Sequence, residues 1–358
     1  MRMIDEAALS DITLGATVLG SGGGGDPYLG WLLAREAVRT HGPVPLVDLV
    51  DVPDDAYIVF VAGMGAPGAL LEKIPRAAEY ERIVAEMESY TGRKIDFLCP
   101  AEAGGLNAVT PFASAAPTGL PVVDADAMGR AFPFLEMCTP TLHGGSTTPL
   151  VMIDEHHNTV CLSTQTNHWA ESFTRAAAVA SGASAVMALY PMTGSQAKQW
   201  LIPGTVTQAE QLGRTIREAR DAHTSPVDAV LADQNGTLLF TGKVVDVDRR
   251  TERGWTSGTA TLSGMDTFED HSMVVHFQNE NLAAVRDGEV IVTTPDLIMA
   301  LELDTGEPIP AEEIRYGYRV AVIGMPCNPI WRTENGLKLS GPRRFGYDMD
   351  FRPIEELT

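Results

Sequence analysis

The sequence predicts an α/β N-terminal domain, Rossmann-like with a mainly parallel sheet, followed by a β-rich C-terminal domain. Three observations support this. Apolar runs alternate with helical patterns up to about residue 126, which is the signature of strand–helix–strand units. From Val227 onward, short apolar segments recur between Gly, Asn and Asp turns, as in an all-β unit. The chain has 358 residues, enough for about two domains. The divisions expected are 1–165 and 226–358, with the helices of 166–225 able to pack on the first domain.

Residues 5–18 form a helix that leads into Leu19-Gly20-Ser21-Gly22-Gly23-Gly24-Gly25-Asp26-Pro27. Five glycines in six positions imply close backbone approach or positive φ, because glycine buries no side chain and loses much entropy on ordering. Asp26 is the N-cap and Pro27 the first residue of a second helix, Tyr28 to Val38. A loop of bare amides feeding a helix is suited to an anion. Gly22, Gly23, Gly24, Gly25 and Asp26 are therefore candidate substrate-binding residues. The run lacks a Gly-Lys-Ser/Thr ending, and no clear strand precedes it, so a nucleotide is not expected.

Strands are expected at 45–50, 56–62, 95–100 and 121–126. Helices are expected from Arg76 to Tyr90 and from Gly105 or Leu106 to before Pro117, with a glycine-rich turn at 63–68. A hairpin joins 151–154 to 159–162, helices cover 169–180 and 207–222, and 186–189 is a short strand. In the second domain, 229–232 turns at Asn235-Gly236 into 238–241. Further strands are read at 243–247, 258–262, 272–277, 282–285, 290–293 and 318–323. Pro295 to Ile298 and Gly341 to Tyr347 read as turns.

In parallel sheets ligands sit at the carboxyl ends of strands. There the sequence places Cys99-Pro100-Ala101-Glu102-Ala103-Gly104-Gly105-Leu106-Asn107 and Asp124-Ala125-Asp126-Ala127-Met128-Gly129-Arg130. Glu102 or Asp124 is the candidate water-activating carboxylate, and Asn107 the amide beside it. Gly104, Gly105, Asp126 and Arg130 complete the substrate site, Arg130 as a two-pronged donor. A divalent metal would use His143 or the Asp124–Asp126 pair, although no histidine has a diagnostic spacing. Gln278-Asn279-Glu280-Asn281 is either a polar turn or a loop reaching over the first domain's site.

The net charge of −21 disfavours nucleic acid or an anionic membrane as partner. No apolar window reaches transmembrane length and the acidic start is no signal peptide. The four cysteines, Cys99, Cys138, Cys161 and Cys327, form no C-x-x-C. A cytoplasmic protein with reduced thiols is expected. So is a homo-oligomer formed through sheet edges or helices.

The glycine run, Pro100 to Asn107, Asp124 to Pro133 (D-A-D-A-M-G-R-A-F-P), Asn279-Glu280-Asn281, Pro295-Asp296-Leu297 and Gly341 to Gly346 together resemble the DUF917 proteins. These are also called the S-methyl thiohydantoin desulfurase or hydantoinase-like family. The resemblance covers nearly the whole chain. It implies the two-domain architecture above and hydrolysis of a five-membered cyclic ureide or its sulfur analogue, with a cyclic amide or thioamide as substrate. The alternative is a non-catalytic subunit or regulator that binds a small cyclic amide beside a separate hydantoinase- or oxoprolinase-type enzyme.

Overall fold

A computed structural model describes residues 1–65, 77–252 and 255–356. In chain order the elements are β1 (Arg2–Ile4), α1 (Glu6–Leu19), α2 (Pro27–His41), β2 (Val44–Asp48), β3 (Tyr57–Gly65), α3 (Ala77–Thr91), β4 (Phe97–Pro100), α4 (Thr110–Thr118) and β5 (Val122–Asp126). Then come α5 (Thr139–Leu142), β6 (Leu150–Ile153), β7 (Thr159–Leu162), α6 (Asn167–Ala180), β8 (Ser184–Thr193), α7 (Gly194–Trp200), β9 (Ile202–Pro203), α8 (Thr205–Asp221) and α9 (Pro226–Gln234). The last part holds β10 (Thr237–Glu252), β11 (Trp255–Gly264), β12 (Ser272–Gln278), β13 (Glu280–Arg286), β14 (Glu289–Thr293), β15 (Leu297–Glu302), β16 (Pro308–Ile309), β17 (Arg319–Met325) and α10 (Glu334–Ser340).

The first sheet has the order β1-β2-β5-β4-β3-β8-β6-β7, with β9 added beside β5. It is mixed rather than mainly parallel. Only β2, β5, β4 and β3 pair in parallel. The antiparallel side follows from the connections. β6 and β7 are joined as a hairpin, and α6 carries the chain over to β8, which therefore runs parallel to β7 and antiparallel to the β6 that lies between them. The second sheet, β14-β13-β12-β11-β10-β17-β15-β16, is antiparallel throughout its described pairs.

The two sheets share a core. Along β15, Leu297, Met299 and Leu301 join the large core of the first sheet, while Ile298 and Ala300 join a smaller core on the opposite face. Ala321, Ile323 and Met325 of β17 alternate with Val320 and Val322 in the same way. The two-residue period of a strand thus seats the second sheet on the first.

Five local expectations differ from the structure. Residues 226–234 form α9, not a strand. Ser225 accepts from the Asp228 amide, Pro226 is the first helical residue, and Asn235 ends the helix with φ +49°. The Asn-Gly pair is a helix terminator here rather than a hairpin turn. The strands expected at 238–241 and 243–247 are one strand, β10, because Gly242 packs flat against β11: a Cβ there would lie 2.6 Å from the Ser263 carbonyl oxygen. Residues 297–302 are strand β15, lying between β17 and the edge strand β16, rather than a turn. The helix expected from residue 105 or 106 begins at Thr110 and retains Pro117 near its end, because Gly104 to Val109 fold as turns first. Gly63 to Gly65, expected in a turn, extend β3; the remainder of that turn, 66–68, and Arg76 lie outside the described residues.

Candidate functional site

Between α1 and α2 the chain takes positive φ at Ser21, Gly22, Gly24 and Gly25, and Asp26 caps α2 by accepting from the Leu29 amide. Four segments of chain close on this bend. The Asn107 and Leu106 amides donate to the carbonyls of Gly24 (3.1 Å) and Gly25 (3.4 Å). The Asn281 amide donates to Ser21 O (2.7 Å), and Ala311 N to Gly22 O (2.9 Å). The Ser21 hydroxyl exchanges two hydrogen bonds with the backbone of Ile298.

The glycines are explained by what would occupy a Cβ. At Gly24 it would lie 2.3 Å from Gly104 C, and at Gly105 2.2 Å from Gly25 O, so the two loops pack backbone on backbone. At Gly23 it would meet Glu280 Oε1 at 2.1 Å, and at Gly22 the Asn281 amide nitrogen at 2.8 Å. The bend is therefore a junction between the 104–107 loop and the β12–β13 hairpin of the second sheet. The amides of Gly24 and Gly25 find no acceptor among the described residues.

A cavity opens at this junction. Its lining includes Gly23, Gly24, Gly25, Gly63, Glu102, Asn107, Phe134, Arg175, Glu280 and Glu312. Glu102 sits just past β4 and is buried. Its Oε1 accepts from Asn107 Nδ2 at 2.6 Å, and Asn107 is itself held by both backbone groups of Gly63. Burial pushes the Glu102 carboxyl up to about 7 against the Asn107 hydrogen bond. Glu280 is raised well above the usual carboxylate range, by burial first and then by Glu102. Glu312 is pushed up to about 8 by burial, with Glu313 and Asp26 adding to it.

The structure gathers Gly23, Gly24, Gly25, Glu102 and Asn107 around this cavity. The other residues expected there stand elsewhere. Asp124 does not line it; its carboxylate accepts from the Thr207 amide (3.0 Å) and hydroxyl, and so caps the first turn of α8. Asp126 is fully buried and closes its own turn, accepting from the amides of Met128 and Gly129. Burial pushes Asp126 up to about 7. Arg130, also fully buried, lies outside the lining and donates to the carbonyls of Ala131, Pro295 and Asp296. Gly22, Gly104, Gly105 and Asp26 serve the loop packing and the α2 cap rather than the lining. His143 is exposed, stacks on Trp200 and does not line the cavity. Among the described residues no three His, Cys, Asp or Glu side chains group as metal ligands. Cys99 is buried with its thiol raised well above its ordinary value, which suits an inert thiol.

The role of Asp124 gives a direct prediction. Asp124→Ala is expected to cost about 1 kcal/mol, as for loss of a helix cap, with turnover of any ring substrate unchanged. Urea unfolding and a rate assay on one preparation check both parts.

The sequence underrated Glu280, left open as a turn or a reaching loop. It reaches: Asn279 takes φ +59° at the hairpin tip, and Glu280 follows, buried, on β13. Glu312, Arg175, Phe134 and Trp255 were not identified. Phe134 and Trp255 meet at 4.6 Å between ring centres, and the Arg175 guanidinium lies 3.5 Å from the Trp255 ring centre, beside the cavity. Contacts spanning so much sequence leave no local pattern.

A two-sheet protein with a glycine-floored, carboxylate-lined cavity where its sheets join is the class defined by this geometry. The chain belongs to the S-Me-THD-like family: the model of the S-Me-THD-like N-terminal domain matches residues 7–164, and that of the C-terminal domain residues 165–354. It is also similar to a protein from Chromobacterium violaceum solved by X-ray crystallography, at 25% identity and a TM-score of 0.81, with 99% of this chain and 100% of that chain covered. No curated protein matches it. No described helix is long and apolar enough to cross a membrane.

Proposed function

We propose that the protein hydrolyses a five-membered cyclic ureide or its thio analogue, of the hydantoin or S-methyl thiohydantoin type, with Glu102 as the general base. One observation carries this reading: a buried Glu102, poised near neutrality and held by Asn107, shares a small cavity with the uncommitted amides of Gly24 and Gly25. Glu102 takes a proton from water as the water oxygen bonds to the ring carbon between the nitrogens. It returns that proton to the group that leaves, a ring nitrogen or methanethiolate. The two glycine amides would hold the negative charge that builds in the transition state, a role suited to fixed backbone donors. The S-Me-THD-like membership supports this choice of ring.

The base must be ionised to work. With Glu102 near 7, kcat/KM is expected to rise with pH through that value. The Asn107 amide stabilises the ionised carboxylate, so Asn107→Ala is expected to move the acidic limb to higher pH. A pH–rate profile on a panel of hydantoins and S-methyl thiohydantoins checks this. A profile flat across the neutral range, or a limb that Asn107→Ala leaves in place, would remove Glu102 from the role.

A further inference from the structure

We propose that the cavity takes its five-membered ring as a protonated, amidine-like cation, with Glu280 Oε2 accepting a ring N–H. The inference deepens the proposed function by choosing the S-methyl thio analogue, whose ring carries an imine nitrogen, over the ureide, and rests on that function for the size of the ring. The charge preference comes from the cavity itself.

Glu280 is 3% exposed, and its Oε2 has no hydrogen-bond partner among the described residues. Such an atom, buried and unmatched, is costly unless a ligand satisfies it. Its place is built: Glu280 Oε1 occupies the space that a side chain on residue 23 would fill. Arg130 is the cation that opposes the rise of its carboxyl but makes no hydrogen bond to it among the described residues. Arg130 Nε and Nη1 go to main-chain carbonyls, and Nη2 is likewise unpartnered.

The remaining lining is acidic. Glu102, Glu280 and Glu312 face the cavity, against Arg175 as the cation among its described lining residues. Arg175 is already paired with Glu171 at 2.5 Å and stacked on Trp255. Carboxyl groups held in low dielectric are stabilised as anions by an opposite charge that also hydrogen-bonds to them. A neutral amidine meets this need by taking the proton of the Glu280 carboxyl onto its imine nitrogen, leaving an amidinium–carboxylate pair. A ligand that arrives already charged sends that proton to solvent. A cyclic urea has no basic nitrogen and can do neither.

The test compares two rings of one shape, the cyclic guanidinium 2-aminoimidazoline and the neutral cyclic urea 2-imidazolidinone, by titration calorimetry on the full-length protein. The expected result is binding of the cation at least about tenfold tighter, with the preference lost in Glu280→Gln. Gly23→Ala supplies a second variant, since its Cβ displaces the Glu280 carboxylate without removing it; it is expected to lose the preference as well. Equal affinity in the wild type, or a preference that survives in a folded variant, overturns the inference. The readout separates it from hydrolysis. Cation-selective binding without turnover of any ring would retire the hydrolase reading alone, and turnover with no cation preference would retire the cation site alone.

Discussion

Glu102→Gln is expected to lower kcat/KM on hydantoin- or thiohydantoin-type rings by about 10²–10⁴-fold, the contribution usual for a positioned acid–base group, while the fold survives. The glutamine oxygen can still accept from Asn107 Nδ2, so the 2.6 Å contact and the Gly63 bracket remain. Stability supplies a second readout with a definite sign. Glu102 is raised to about 7 in the folded protein, against roughly 4.3 in an unfolded chain. The folded state therefore binds the proton more tightly. Its stabilising contribution is complete below the unfolded value and is lost as pH rises through about 7. The melting temperature is expected to fall between mildly acidic and mildly basic pH, and Glu102→Gln to flatten part of that fall. Asp126 and Glu312 slope the same way, so part of the dependence will persist. Thermal melts across pH, run beside the rate assay, check both halves. An unchanged slope would mean that Glu102 titrates normally.

Gly24→Ala is expected to destabilise the protein by about 3 kcal/mol or more, the range reserved for strain and steric conflict at special backbone positions. Two independent causes coincide there. Gly24 has φ +91°, which L side chains rarely adopt. Its Cβ would also fall 2.3 Å from Gly104 C and 2.5 Å from Gly104 O, main-chain atoms that cannot turn aside. Gly23→Ala, one residue earlier, meets only the flexible Glu280 side chain and is expected to fold. Urea unfolding of the two variants should therefore separate structure from ligand binding within adjacent residues. Similar losses in both would show that the bend tolerates no side chain anywhere.

The elements of the first half were legible because their signals are local. Asp26-Pro27 marks a helix start whatever surrounds it, and 56–62 is apolar enough to require burial on both faces. The glycine run was legible as a place of close approach, but not in what approaches: Gly104 comes from 80 residues away along the chain, and Glu280 from the other sheet. The same limit misplaced Asp124. A carboxylate at a strand end reads as catalytic, and only the path of α8 shows that Thr207 reaches it first. α9 was misread because Asn-Gly serves hairpins and helix ends alike, and the capping Ser225-Pro226 pair upstream decides between them. The direction of β8 followed from a crossover over β6, which no single segment encodes.

The central claim is that the polyglycine bend, the Glu102–Asn107 pair and Glu280 surround one ligand. The most direct measurement is a crystal structure of Glu102→Gln grown with an S-methyl thiohydantoin. The expected density is a ring lying between the Gly24 and Gly25 amides and residue 102, with a ring nitrogen within hydrogen-bonding distance of Glu280 Oε2. A ring seated outside that cavity, in the neighbouring pocket lined by Trp255, His168 and Ala176 or beside His143, would contradict the claim.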